Sequence, residues 1–103
     1  MKIRFKAKTN RPYCIAQKAR FTTKNGSVVV IGQESEEYSI KNGSLDMTWK
    51  SCYVSSMDGK KYGQVFPDTV MICLLDGANF ESFENDDPED PGQRITDVSW
   101  TFA

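Results

Sequence analysis

Carboxylates are concentrated in one stretch of the chain, from Asp76 to Asp90, where seven acids occur without a base. Several carboxylate oxygens close together are the ligands that a hard cation such as Ca²⁺ prefers. The EF-hand spacing is not matched, because counting from Asp86 gives Pro88 and Asp90, and then Pro91 where glycine is needed. The spacing therefore predicts no metal site and leaves recognition of a basic partner as the other chemistry for these acids.

Two further features of this stretch favour a binding role. Phe80 and Phe83 place apolar rings beside like charge, and two prolines restrict the backbone, which lowers the entropy lost on binding. The simpler interpretation is a solvated connector before the last strand. The predicted partner-binding residues are Phe80, Glu81, Phe83, Glu84, Asp86, Asp87, Glu89 and Asp90.

Bases are concentrated at the opposite end of the chain, where residues 1–24 hold eight bases and no acid. In KIRFKAK the bases alternate with apolar residues, so one face of a strand carries cations about 6.6 Å apart, a spacing suited to a phosphate backbone. The same cations could instead keep an edge strand from pairing with a neighbour. The alternative, nucleic-acid-binding residues are Lys2, Arg4, Lys6 and Lys8, joined by Lys18 and Arg20 if the first two strands pair.

The residues that catalysis most often needs are missing. The chain has no histidine, which removes the usual general base at neutral pH and the Ser-His-Asp and Cys-His arrangements. Cys14, Cys52 and Cys73 form no Cys-x-x-Cys pair and are expected to be buried thiols. The seven glycines form no phosphate-binding loop motif. We therefore expect a protein that is not an enzyme and needs no cofactor.

The elements that position these residues are predicted to be strands. Asn-Gly or Asp-Gly follows an alternating run in "FTTKNGSVVVIG", "YSIKNGSLDMTW" and "SSMDGKKYG", which indicates three hairpins. After the first strand, the pattern predicts strands at about 14–23, 27–32, 36–41, 44–54, 61–66, 69–75 and 94–102. In "TVMICLL" both alternating faces are apolar, which is typical of a central strand covered on two sides.

Residues 13–22 allow a second interpretation, since Pro12 could begin a helix on which Ile15 and Ala19 stack. A strand is favoured because Phe21 runs straight into a hairpin. The sequence thus predicts a single all-β domain over residues 1–103, or a β-rich one with at most one short helix. We expect a small antiparallel sandwich or partly open barrel of about seven or eight strands, built from a hairpin meander, with an acidic loop at about 76–93.

Composition places the protein outside the membrane classes. The mean hydropathy is −0.52, and no apolar run approaches the roughly 20 residues that a bilayer crossing needs. The N-terminus lacks the continuous apolar segment of a secretory signal, and an odd number of cysteines suits a reducing compartment, so we expect a cytoplasmic protein.

Together these features predict a binding module that uses the acidic loop to engage a larger basic protein. The partner could be one that otherwise binds nucleic acid, in the manner of inhibitors encoded by phages and other mobile elements. The alternatives are nucleic-acid binding through the basic strand face and a self-assembling structural or virion-associated subunit.

Overall fold

The computed structural model describes residues 1–103 as a sandwich of two antiparallel sheets with one short helix. The elements are β1 (Ile3–Thr9), β2 (Lys18–Thr22), β3 (Val28–Gln33), β4 (Glu36–Lys41), β5 (Ser44–Trp49), β6 (Cys52–Met57), β7 (Lys60–Gln64), α1 (Asp68–Leu75), β8 (Asn79–Glu84) and β9 (Ile95–Phe102). Sheet I has the order β4-β5-β1-β9, and sheet II has the order β7-β6-β3-β2-β8. The predicted β-rich antiparallel sandwich with one short helix is confirmed, with nine strands where seven or eight were expected.

Three hairpins form at the predicted turn dipeptides. At Asn42-Gly43, between β4 and β5, both residues have positive φ (51° and 78°), and Asp58-Gly59 between β6 and β7 is similar (51° and 84°). These are the two-residue turns that the dipeptides predict. The turn at Asn25-Gly26 is wider, because only the glycine has positive φ (86°) and the side chain of Thr23 accepts a hydrogen bond from the Ser27 N–H at 3.1 Å.

Two predicted strands have different bounds in the structure. The segment 44–54 is divided into β5 and β6, which belong to different sheets, because the chain crosses the sandwich between Trp49 and Cys52. The segment 14–23 begins as a strand only at Lys18, and residues 14–17 are neither strand nor helix. Their backbone groups bond to side chains of a distant segment instead of to a neighbouring strand.

The segment 69–75, predicted as a central strand, is instead the helix α1. This prediction was wrong because a short apolar run fits a buried helix as well as a strand. Pro67 precedes the first turn, and its carbonyl accepts hydrogen bonds from two N–H groups of that turn at 3.0 and 3.1 Å. Met71 and Leu75, four residues apart, both face the core. With eight residues, α1 is too short to cross a membrane, and the structure has no other helix.

The core lies between the sheets and is centred on Phe5 of β1. The ring centroid of Phe5 lies 4.9 Å from that of Trp49 in the same sheet, and 5.1 and 5.9 Å from those of Phe83 and Phe80 in sheet II. Phe80 and Phe83 thus belong to β8 and pack against the core, whereas the sequence placed them in an acidic loop at 76–93. Because their rings help to join the two sheets, they are not the exposed anchors that were predicted.

Candidate functional site

Two connectors cross between the sheets at the same end of the sandwich. The first connector, residues 10–17, joins β1 to β2, and the second connector, residues 85–94, joins β8 to β9. Side-chain amides tie them together: Asn85 donates to the carbonyl of Ile15 at 3.1 Å, and Gln93 bonds both the N–H and the carbonyl of Ile15 at 3.0 Å. The second connector is therefore held at both ends, at residues 85–86 and 90–94, by backbone and side-chain hydrogen bonds.

Asp90 is the most heavily bonded acid of the second connector. Its carboxylate accepts two hydrogen bonds from the Arg11 guanidinium, at 2.7 and 3.4 Å, one from the Tyr13 hydroxyl, and one from the Gly92 N–H at 3.0 Å. Four donors stabilise the ionised form, so the pKa of Asp90 lies well below its usual range, with Arg11 as the largest cause. Asp90 thus links the second connector to Arg11 and Tyr13 of the first connector.

Two more acids of this region are paired with bases of β2. The Lys18 ammonium lies 2.8 Å from both carboxylate oxygens of Asp86, and the Arg20 guanidinium lies 2.6 Å from Glu84. Asp86 and Glu84 therefore form ion pairs with bases of β2 and not with Lys2 to Lys8 of β1. These pairs cancel part of the negative charge within the chain.

We call the acids that follow one another along this side of the sandwich the acidic edge: Glu81, Glu84, Asp86, Asp87, Glu89 and Asp90. Glu81, Asp87 and Glu89 are exposed and make no ion pair or hydrogen bond. Counted with Arg11, Lys18 and Arg20, the six acids of the acidic edge have a net formal charge of −3. The predicted acidic surface exists, but at half the strength that the sequence suggests.

The predicted basic residues are divided between the two outer faces of the sandwich. Lys2, Arg4, Lys6 and Lys8 point outward from sheet I, as their alternation predicts. Lys18 and Arg20 do not join them, because β1 pairs with β5 and β9, while β2 belongs to sheet II. The condition under which Lys18 and Arg20 would join the basic residues of β1, namely pairing of the first two strands, is therefore not met.

The outer face of sheet I, which we call the basic face, is polar at every outward position. Strand register places these side chains together. They comprise six bases, three acids and six hydroxyls: Lys2, Arg4, Lys6, Lys8, Lys41, Lys50, Glu37, Asp46, Asp97, Ser39, Ser44, Thr48, Thr96, Ser99 and Thr101. The basic face has a net formal charge of +3, which is opposite to that of the acidic edge.

Three bases of the basic face are paired with its acids. Arg4 binds Asp46 through two hydrogen bonds of 2.9 and 2.6 Å, an arrangement that lowers the pKa of Asp46. Lys50 binds Glu37, and Lys8 lies 3.7 Å from Asp97. The pair of Lys8 with Asp97 is largely exposed, so it is weak and is screened by salt, whereas the two hydrogen bonds between Arg4 and Asp46 make that pair stronger. Lys2, Lys6 and Lys41 form no ion pair.

Two of these free lysines, Lys6 and Lys41, border a shallow cleft of about 480 Å³ at one end of the basic face, together with Lys8. Ser44 of β5 pairs with Lys8 of β1 on one side and with Lys41 of β4 on the other, so Lys41 is level with Lys8. Lys6 lies two residues before Lys8 on the same face of β1. Sequence reasoning missed Lys41 and the serines of this cleft. The signal was available, because the Asn42-Gly43 turn makes Lys41 and Ser44 direct partners.

The cysteines show no sign of nucleophilic chemistry. Burial raises the pKa of Cys14 to about 12, with the negative charge of Glu36 as a smaller cause, and burial raises the pKa of Cys52 to about 11. Both are protonated thiols at neutral pH. Cys73 was expected to be buried but is exposed, because α1 turns it away from the core. No three Cys, Asp or Glu side chains are placed so that they could hold a metal ion.

Comparison of the chain with protein-family models, with curated proteins and with solved structures finds no match. The basic face and the acidic edge are therefore interpreted from their own geometry and charge.

Proposed function

We propose that the protein binds nucleic acid, and that its basic face contacts the phosphate backbone of the ligand. The observation that carries the proposal is a sheet face with fifteen polar outward positions, on which Lys2, Lys6 and Lys41 form no ion pair. Cations and hydroxyls are the groups that contact phosphate oxygens, and such binding needs no apolar anchor. At the acidic edge, in contrast, the two predicted anchors Phe80 and Phe83 are partly buried and pack against the core.

The state of the individual bases also supports the basic face over sheet II. On sheet II, Lys18 and Arg20 are held by Asp86 and Glu84, so their charges are already compensated. On the basic face the weakest pair is that of Lys8 with Asp97, both about 70% exposed, and a phosphate could replace the carboxylate there at little cost.

Titration of a labelled DNA duplex, followed by fluorescence anisotropy at several salt concentrations, tests this function. The variant Lys6→Ala/Lys41→Ala removes two free cations from the basic face, so the slope of log K against log[salt] should become shallower by about 1.8. The matched control Lys60→Ala/Lys61→Ala removes two unpaired lysines from β7, in sheet II, and should bind like the wild type. Absence of binding by the wild type at low salt would refute the proposal, as would equal losses in the two variants.

A second candidate is the original prediction, in which the acidic edge engages a basic protein and its carboxylates stand in for phosphates. The observation that favours it is that Glu81 of β8 and Asp87 and Glu89 of the second connector are exposed and unpaired. Hydrogen bonds hold both ends of this connector, which lowers the entropy lost on binding. Phe80 and Phe83 are partly buried against the core, but they also line a cleft of about 430 Å³ beside Glu81 and Asp90.

Affinity capture from the host with the wild type and with Glu81→Gln/Asp87→Asn/Glu89→Gln tests this candidate. A partner that needs the acidic edge should be recovered by the wild type and by the control Glu34→Gln, which removes an unpaired acid elsewhere, but not by the triple variant. Identical recovery by all three proteins would show that the acidic edge is not a contact surface.

A further inference from the structure

We infer that the ligand of the basic face is a double-stranded nucleic acid, contacted without regard to its base sequence, and that Lys6, Lys8 and Lys41 form the main phosphate site. This inference rests on the proposed function and specifies its ligand. Three properties of the face carry it: the two-dimensional spread of its cations, the absence of rings, and the absence of side chains that read bases.

The cations of the basic face are spread in two dimensions. Lys6 and Lys8 are about 6.6 Å apart along β1, and Lys41 lies two strands away from Lys8, at roughly 10 Å. A single extended strand of nucleic acid would follow one line of cations, whereas a duplex presents two backbones side by side. Three lysines around one cleft also allow a phosphate to be contacted from more than one side.

The basic face offers no ring on which a base could stack. Proteins that bind single strands combine a basic surface with exposed aromatic side chains. Phe5, Trp49 and Trp100 belong to strands of sheet I but all point toward the core. The exposed Tyr38 lies on the inward side of β4, and the Tyr13 hydroxyl bonds Asp90. The face is therefore suited to a ligand whose bases are already stacked within a duplex.

The face also lacks the groups that distinguish one base pair from another. Asparagine and glutamine are absent from its outward positions, and its one arginine, Arg4, is held by Asp46 through two hydrogen bonds. A sheet of four strands is about 14 Å across, which is wider than the major groove that admits a helix or a two-stranded ribbon. Contact is thus restricted to the backbone.

Asp46 and Asp97 lie in the same cleft as the lysines and oppose an anionic ligand. Their amide replacements should therefore tighten binding, since each removes a negative charge and releases a paired base, Arg4 or Lys8. Asparagine also tolerates the positive φ of 54° at Asp97. This gain of affinity is an outcome that a merely structural role of the two pairs would not produce.

The experiment measures by fluorescence anisotropy the binding of four kinds of ligand: a short DNA duplex, a short RNA duplex, and the separated strands of each. Each ligand is titrated with three proteins: the wild type, Lys6→Ala/Lys41→Ala and Asp46→Asn/Asp97→Asn. Thermal unfolding of each protein first confirms that it is folded. We expect a duplex to bind on the order of tenfold more tightly than its strands, and a duplex of scrambled sequence to bind equally. The asparagine variant should bind severalfold more tightly than the wild type and the alanine variant more weakly.

The outcomes separate this inference from the function on which it rests. Single strands that bind as well as the duplex, or a marked preference for one sequence, would overturn the inference and leave nucleic-acid binding in place. An asparagine variant that binds no more tightly than the wild type would overturn the role of the cleft. If none of the ligands bound, the proposed function itself would fail.

Discussion

At the scale of single residues, Asp90 links the acidic run to the connector between β1 and β2. It lies at the end of a polar stretch whose composition predicts only a solvated surface, yet its carboxylate joins Arg11, Tyr13 and Gly92. The sequence could not single it out from its neighbours Asp86, Asp87 and Glu89, because pairing depends on two connectors that are far apart in the chain and cross at the same end of the sandwich.

Replacement of Asp90 by asparagine should lower the stability of the protein in a pH-dependent way. Because the pKa of Asp90 is lower in the folded than in the unfolded state, its contribution is complete above the unfolded value of about 3.9 and is lost as the pH falls through the folded value. Chemical denaturation at pH 7 should thus give a higher free energy of unfolding for the wild type than for Asp90→Asn. The difference in free energy should shrink below about pH 4.

The control for this prediction is Asp87→Asn. Asp87 is exposed and forms no hydrogen bond or ion pair. Its replacement should therefore leave the denaturation midpoint unchanged, both at pH 7 and below about pH 4. An Asp90→Asn protein that is as stable as the wild type at pH 7 would contradict the role of Asp90 as the tie between the connectors.

At the scale of elements, the hairpins were predictable and the helix was not. Asn42-Gly43 and Asp58-Gly59 determine local geometry by themselves, since they accept the positive φ that a tight turn needs. The apolar run 69–75 carries weaker markers, with Pro67 and Asp68 at its start and Gly77 after its end, and its apolar residues alone fit a strand equally well. Sheet I and sheet II are complete without it, so the run packs as a helix over one end of the core.

The orientation of α1 gives a prediction at this scale. Met71 is fully buried, whereas Ile72 is 45% exposed. Met71→Ala should therefore lower the free energy of unfolding by about 2–5 kcal/mol, and Ile72→Ala by about 0.5 kcal/mol or less. Denaturant titration measures both. Similar losses for the two variants would instead fit the two-sided strand that the sequence suggested.

At the scale of the whole molecule, folding converts a charge asymmetry along the chain into two surfaces that are each half neutralised. Residues 1–62 have a formal charge of +7 and residues 63–103 of −8, whereas the basic face and the acidic edge have +3 and −3. The sequence predicted the presence and sign of both surfaces. It could not predict that bases of β2 would meet acids of β8, since this requires the strand order. Head-to-tail assembly of the two surfaces stays a prediction.

The position of β1 between β5 and β9 has a consequence for how the protein is made. Among the nine strands, β1 is synthesised before the others and pairs with β9, which is synthesised after them, so sheet I stays open at β1 until Ile95–Phe102 have emerged. Until then Phe5 and its neighbours are only partly covered, and the nascent chain exposes an unpaired strand edge to other chains. The lysines that flank Phe5 on β1 would discourage such pairing during this interval.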